Sequence, residues 1–122
     1  MNVAAITLVG LVALVHLYFL VLEMFLWATP FGVKTFGRPR EEMESTKVLA
    51  GNQGLYNGFL AAGLAWGAFA SEPDMAFRLR LFFLGCVIVA GVYGGITAAR
   101  KILYVQALPA VVALVVVFLA RG

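Results

Sequence analysis

Two side chains able to carry a proton, His16 and Glu23, stand seven residues apart in the stretch HLYFLVLE. Seven residues is close to two helical turns, so both fall on one face of a helix, about 10 Å apart along its axis. A histidine and a carboxyl so placed suit proton transfer and are the candidate catalytic pair. The surrounding sequence is apolar enough for lipid, where an ionised carboxylate at a helix centre costs about 2.5–3.5 kcal/mol on insertion scales. Residues of that kind face the interior of a helix bundle and mark function.

A second group of polar residues lies in GNQGLYNG, residues 51–58. Asn52 with Tyr56, and Gln53 with Asn57, are i,i+4 pairs, which predicts a single polar patch on one helix. Antiparallel packing against the first helix puts Glu23 at the depth of Asn52 and Gln53, and His16 at the depth of Asn57. Tyr93 and Thr97 form another i,i+4 pair, and Gln106 follows the next break. These side chains, Asn52, Gln53, Tyr56, Asn57, Tyr93, Thr97 and Gln106, are the candidate ligand-binding residues. The plainer alternative is interhelical glue, worth about 0.6–2 kcal/mol per bond.

Other chemistries leave no trace. The chain has no P-loop, dinucleotide fingerprint, HExxH or CxxC. One His with one Glu makes a poor metal site, so no metal is expected; the sequence leaves any cofactor open. Cys86 is the lone cysteine, set in an apolar run, and is read as a small buried hydrophobe. The net charge of +3 is modest and its basic residues are not interleaved with aromatics, which argues against nucleic-acid binding.

The elements that position these residues follow from hydropathy. Of the 122 residues, 63% are hydrophobic and 12% charged, against roughly half and a quarter in soluble domains. A soluble domain of this size would still expose about a third of its unfolded surface, so the bilayer is the expected partner. Uncharged stretches at about 3–28, 47–70, 75–99 and 102–120 are each long enough to cross it at 1.5 Å per residue. The expected fold is all-α: one domain over residues 1–122, a four-transmembrane-helix bundle running up-down-up-down. The N-terminus carries no Lys or Arg ahead of its apolar run, so a cleaved leader is not expected.

The breaks differ in kind. Residues 29–46 hold Pro30, Pro39 and six of the fifteen charged residues and are expected as a loop, with an interfacial turn at EEME and Ser45 or Thr46 capping the second helix. Ser71 or Asp74 is the expected cap of the third helix, beside Pro73. Pro109 should kink the fourth or free a carbonyl. Lys34, Arg38, Arg40, Lys47, Arg100 and Lys101 lie on one side of such a bundle and Arg78, Arg80 and Arg121 on the other. That bias puts the loops at 29–46 and 100–101 in the cytoplasm, in an inner or plasma membrane, with both termini outside. Gly54/Gly58, Gly63/Gly67 and Gly91/Gly95 are GxxxG pairs that suit close helix contact, within the bundle or in a homo-oligomer through glycine-rich faces.

HLYFLVLEMFLW, NQGLYNGFLAAGLAWG and CVIVAGVYGGIT together resemble the DUF1304 family of small bacterial and fungal membrane proteins. The resemblance covers nearly the whole chain and implies four membrane helices; it carries no established activity. The layout is also similar to that of the membrane-associated eicosanoid and glutathione enzymes, which have four helices and an Asn-containing motif at the cytoplasmic start of the second. Here Val48 and Leu55 occupy the places of that family's Arg and Glu, which argues against glutathione binding. Three functions remain to be separated: a cytoplasm-facing pocket that binds and transforms, or only binds, a small partly lipophilic molecule; a proton-coupled transporter; and a structural or assembly subunit.

Overall fold

In the computed structural model, which describes residues 2–121, the chain is all-helical, with no strand among the described residues. Five helices follow one another: α1 (Val3–Met24), α2 (Pro30–Phe36), α3 (Arg40–Phe69), α4 (Pro73–Thr97) and α5 (Arg100–Arg121). Three of them, α1, α4 and α5, with 22, 25 and 22 residues, are long and apolar enough to cross a membrane. At 30 residues α3 has ample length, about 45 Å. It lacks the apolar average because Asn52, Gln53 and Asn57 sit among its glycines.

Two compact units divide the chain. One is Leu14–Phe59, the second half of α1, all of α2 and the first two-thirds of α3. The other takes the chain up to Ala13 and from Leu60 onward.

In the Leu14–Phe59 unit the segment expected as a loop is largely helical. α1 stops at Met24, four residues short of the expected end, where the amides of Phe25 and Leu26 both turn back to the Val21 carbonyl at 3.0 and 3.2 Å. Thr29 then caps α2, its hydroxyl accepting from Gly32 N–H at 3.3 Å and donating to the Leu26 carbonyl at 2.6 Å. Pro30 occupies the first turn, where a missing N–H costs nothing. Gly37 ends α2 with φ 65°, a left-handed conformation that favours glycine.

α3 begins at Arg40, so EEME is its opening turn rather than a separate interfacial one. Ser45 and Thr46 are inside the helix, not at its cap; both hydroxyls donate to the Glu42 carbonyl, at 2.9 and 2.8 Å. Two of its acidic residues are paired with near neighbours, Glu42 with Arg38 and Glu44 with Lys47, each at 2.5 Å.

The other unit is a dry core of small residues. Ala5, Val9, Leu64, Leu84, Val87, Ala110 and Ala113 are almost fully buried. Glu72, rather than Ser71 or Asp74, caps α4, its carboxylate accepting from the amides of Asp74 and Met75 at 3.2 and 2.7 Å. Residues Leu103–Ala107 of α5 form a π turn, in which Leu108 N–H reaches back to the Leu103 carbonyl. Pro109 follows directly, and the irregularity beside it is a widened turn. Gly91 of α4 faces this turn so closely that a Cβ would lie 2.6 Å from the Ala107 nitrogen.

Candidate functional site

The Leu14–Phe59 unit holds the polar centre. α1 and α3 run antiparallel in it: Leu20 meets Gly58, Glu23 meets Gln53 and Asn57, Met24 meets Gly54, and Trp27 meets Thr46. Glycine permits the approach. A Cβ on Gly54 would fall 2.7 Å from Met24 Cγ, 3.1 Å from Glu23 Cβ and 3.2 Å from the Leu20 carbonyl oxygen. With the backbones this close, the short Asn57 side chain can span the gap.

Glu23 is 7% exposed, and both its oxygens accept hydrogen bonds. Gln53 Nε2 donates to Oε2 at 2.6 Å and Asn57 Nδ2 to Oε1 at 2.5 Å. The two donors are a turn apart on α3, so they grip the carboxyl from adjacent levels. They are not equivalent: Asn57 is buried, whereas Gln53 is exposed, so the bond to Oε2 is part-buried and the bond to Oε1 buried.

The expected patch of four residues therefore divides. Gln53 and Asn57 turn toward α1; Asn52 and Tyr56, one residue earlier in each pair and rotated by about 100°, are exposed. The Tyr56 ring lies edge-on to Phe59 at 5.8 Å. The register also corrects the depth expected for Asn57, which stands opposite Glu23 rather than level with His16. His16 is completely buried, with its ring edge-on to Phe19 at 5.3 Å, and lies about 10 Å along α1 from Glu23.

Beside this centre a second polar contact closes the unit. Trp27 Nε1–H donates to Thr46 Oγ1 at 3.0 Å, and its ring packs on Phe36 of α2 at 4.7 Å. Nothing in residue type or spacing marks Thr46 as the acceptor of Trp27.

Tyr93, Thr97 and Gln106 belong to the other unit. Tyr93 is 70% exposed, and the Thr97 hydroxyl donates to the Tyr93 carbonyl of its own helix at 2.7 Å. Gln106 lies half-buried in the π turn. That unit has a polar contact the sequence did not announce. Arg80 Nε and Nη2 donate to the carbonyls of Gly67 and Ala68, at 2.7 and 3.1 Å, and so cap the C-terminal turn of α3. The glycine pairs are filled from within each unit: Gly54 and Gly58 by α1, Gly63 and Gly67 by Phe83, Leu79 and Arg80, and Gly91, Gly94 and Gly95 by α5. No group of three or more His, Cys, Asp or Glu side chains able to hold a metal occurs among the described residues.

All-helical architecture with three membrane-length apolar helices, and a carboxyl hydrogen-bonded inside one of them, describes a helical membrane protein. The family model described as "Protein of unknown function (DUF1304)" matches residues 10–118, and the chain belongs to that family. It is similar to the uncharacterized protein YpaA of Lactococcus lactis subsp. lactis (strain IL1403), 34% identical over 117 residues that cover 94% of this chain and 97% of the relative. No solved structure matches.

Proposed function

We propose that the Glu23 centre is a membrane-embedded binding site for a small, partly lipophilic molecule. One observation carries the reading: a carboxyl on α1 is held at both oxygens by two amides from α3, thirty and thirty-four residues away. Interhelical glue needs one such bond; two donors on one carboxyl orient it. In this reading Glu23, with His16 on the same helix, handles protons. Gln53 and Asn57 set the position of the carboxyl, and Asn52 and Tyr56 flank the exposed Gln53 where a ligand would arrive.

The same proposal makes α3 a fourth membrane crossing, with the loops at 29–46 and 100–101 on the cytoplasmic side and both termini outside. The charge bias supports it, since six Lys and Arg residues flank one side and three the other. The length of α3 supports it as well.

The test is native mass spectrometry of the protein released from lipid nanodiscs. A bound small molecule should accompany the wild type and be lost in Glu23→Gln and His16→Ala, both still folded by circular dichroism. A wild type that carries no molecule and binds no apolar probe overturns the reading.

A further inference from the structure

We infer that the Glu23 site selects a lipophilic organic cation, bound at the Oε2 side of the carboxylate in exchange for a proton; this rests on the binding-site reading above.

Glu23 is almost fully buried, and its partners Gln53 and Asn57 are neutral. The ion pairs among the described residues are Arg38–Glu42, Lys47–Glu44 and Arg121–Asp74, and Glu23 belongs to none of them. Amide donors satisfy the hydrogen-bonding capacity of a carboxylate but leave its full negative charge, and a buried charge without a counter-charge is costly. Two occupants remove that charge: a proton on the carboxyl, or a cation brought from outside the chain.

The surroundings choose the kind of cation. The Asn57 and Gln53 nitrogens point at the carboxyl, whereas a hard metal ion takes several oxygen ligands. The helix contact on either side of Glu23 is apolar, with Met24 Cγ against Gly54 and Leu20 Cδ1 against Gly58, which suits an apolar body. Access is one-sided. Asn57 is buried and guards Oε1, while Gln53 is exposed and covers Oε2, so displacement of the Gln53 amide opens the route. Each oxygen of a carboxylate accepts more than one contact, so Oε1 keeps its Asn57 bond throughout.

Proton competition at this carboxyl is not confused by near neighbours. Across from it on α3 stand Gln53 and Asn57, which do not titrate. On its own helix the titratable groups are Tyr18, about 7 Å along the axis, and His16, about 10 Å along it. The closest charges toward the start of α3, Lys47 and Glu44, are paired with each other.

Two probes on the full-length protein in nanodiscs test this by equilibrium dialysis: tetraphenylphosphonium, a permanent lipophilic cation, and triphenylphosphine oxide, a neutral molecule of similar shape. Saturable cation binding should weaken at least tenfold between pH 8 and pH 5. It should weaken at least tenfold in Glu23→Gln at pH 8, and survive in Glu23→Asp. The neutral probe should show none of these dependences. Cation binding that ignores both pH and Glu23→Gln overturns the inference. Saturable binding of the neutral probe alone overturns it too, yet leaves the binding site standing. Binding of neither probe removes both. The pH arm needs no variant, so it decides the question even if Glu23→Gln fails to fold.

Discussion

The buried Asn57 amide donates to Glu23 Oε1 at 2.5 Å across 34 residues of sequence, tying the last two turns of α1 to the middle of α3. The bond is deeper than its neighbour from Gln53, and the two should differ in worth. Asn57→Leu leaves a buried carboxyl oxygen without its donor, which costs about 1–3 kcal/mol. Gln53→Leu should cost less, since Gln53 is exposed and Oε2 can find other donors. Replacing Glu23 and Asn57 together by Leu removes both members of the pair and should be milder than the sum of the single changes. Reversible unfolding in mixed micelles, followed by tryptophan emission, measures all four; equal losses for Asn57→Leu and Gln53→Leu would contradict this ranking.

Gly54 should be the more sensitive of the two glycines, Gly54 and Gly58, that α3 presents to α1. A methyl there meets Met24 Cγ at 2.7 Å and the Leu20 carbonyl at 3.2 Å, and only the methionine can swing away. Gly54→Val should therefore destabilise by about 1–3 kcal/mol through overpacking, and loosen the grip on Glu23 as the helices part. Gly51 is the control, with open space within 4 Å of its added Cβ. Gly51→Ala should be neutral or stabilise by up to about 1 kcal/mol through helix propensity. The two measured melting temperatures should move in opposite directions, or Gly51→Ala not at all.

Much of this centre was legible from residue types and spacing. The i,i+4 pairing of Gln53 with Asn57 and the antiparallel return of α3 were enough to bring Glu23 to the amides. What spacing could not supply was helical phase. Asn52/Tyr56 and Gln53/Asn57 differ by one residue, about 100° of rotation, and only packing decides which pair turns inward. Gly54 and Gly58 carry that decision, because they let α1 approach on the Gln53–Asn57 side. The helical content of residues 29–46 was hidden for another reason. Pro30, Gly37 and Pro39 read as breakers, yet Pro30 starts a helix, Gly37 ends it and Pro39 precedes the next. The acceptors of Trp27 and Arg80 are fixed by tertiary contact and leave no local signature.

Trp27 should report on the closure of its unit. Trp27→Phe keeps an aromatic ring for Phe36 but deletes the donor to Thr46. The loss should be about 0.5–1.5 kcal/mol, the net worth of one hydrogen bond. Thr46→Val deletes the acceptor, and the double variant should lose little more than either single one. A fully additive pair would mean that the two residues act independently.

Glu44 supplies a titration outside the apolar core. Lys47 bonds its carboxylate and holds its pKa below the usual 4.5. Because the folded pKa is depressed, the contribution of this contact is present above the unfolded pKa and lost as pH falls through the folded one. The group is fully exposed, so the effect on stability should be small. The carboxyl shift of Glu44 in carbon-13 NMR should titrate at higher pH in Lys47→Ala than in wild type. An unchanged midpoint would mean that the pair does not persist in solution.

Arg80 offers the last test. Its guanidinium holds the carbonyls of Gly67 and Ala68, which lie in the final turn of α3 and have no intrahelical amide to accept from. Lysine keeps the charge but has no fork, so Arg80→Lys should retain one contact and Arg80→Leu none. The expected costs are below about 1.5 kcal/mol for Lys and about 1–3 kcal/mol for Leu. Hydrogen exchange gives the local reading: amides in the last turns of α3 should exchange faster in Arg80→Leu, with Arg80→Lys between it and wild type. Those in the Leu14–Phe59 unit should keep their wild-type rates. Faster exchange spread evenly along α3 would assign Arg80 to global stability rather than to capping this helix end.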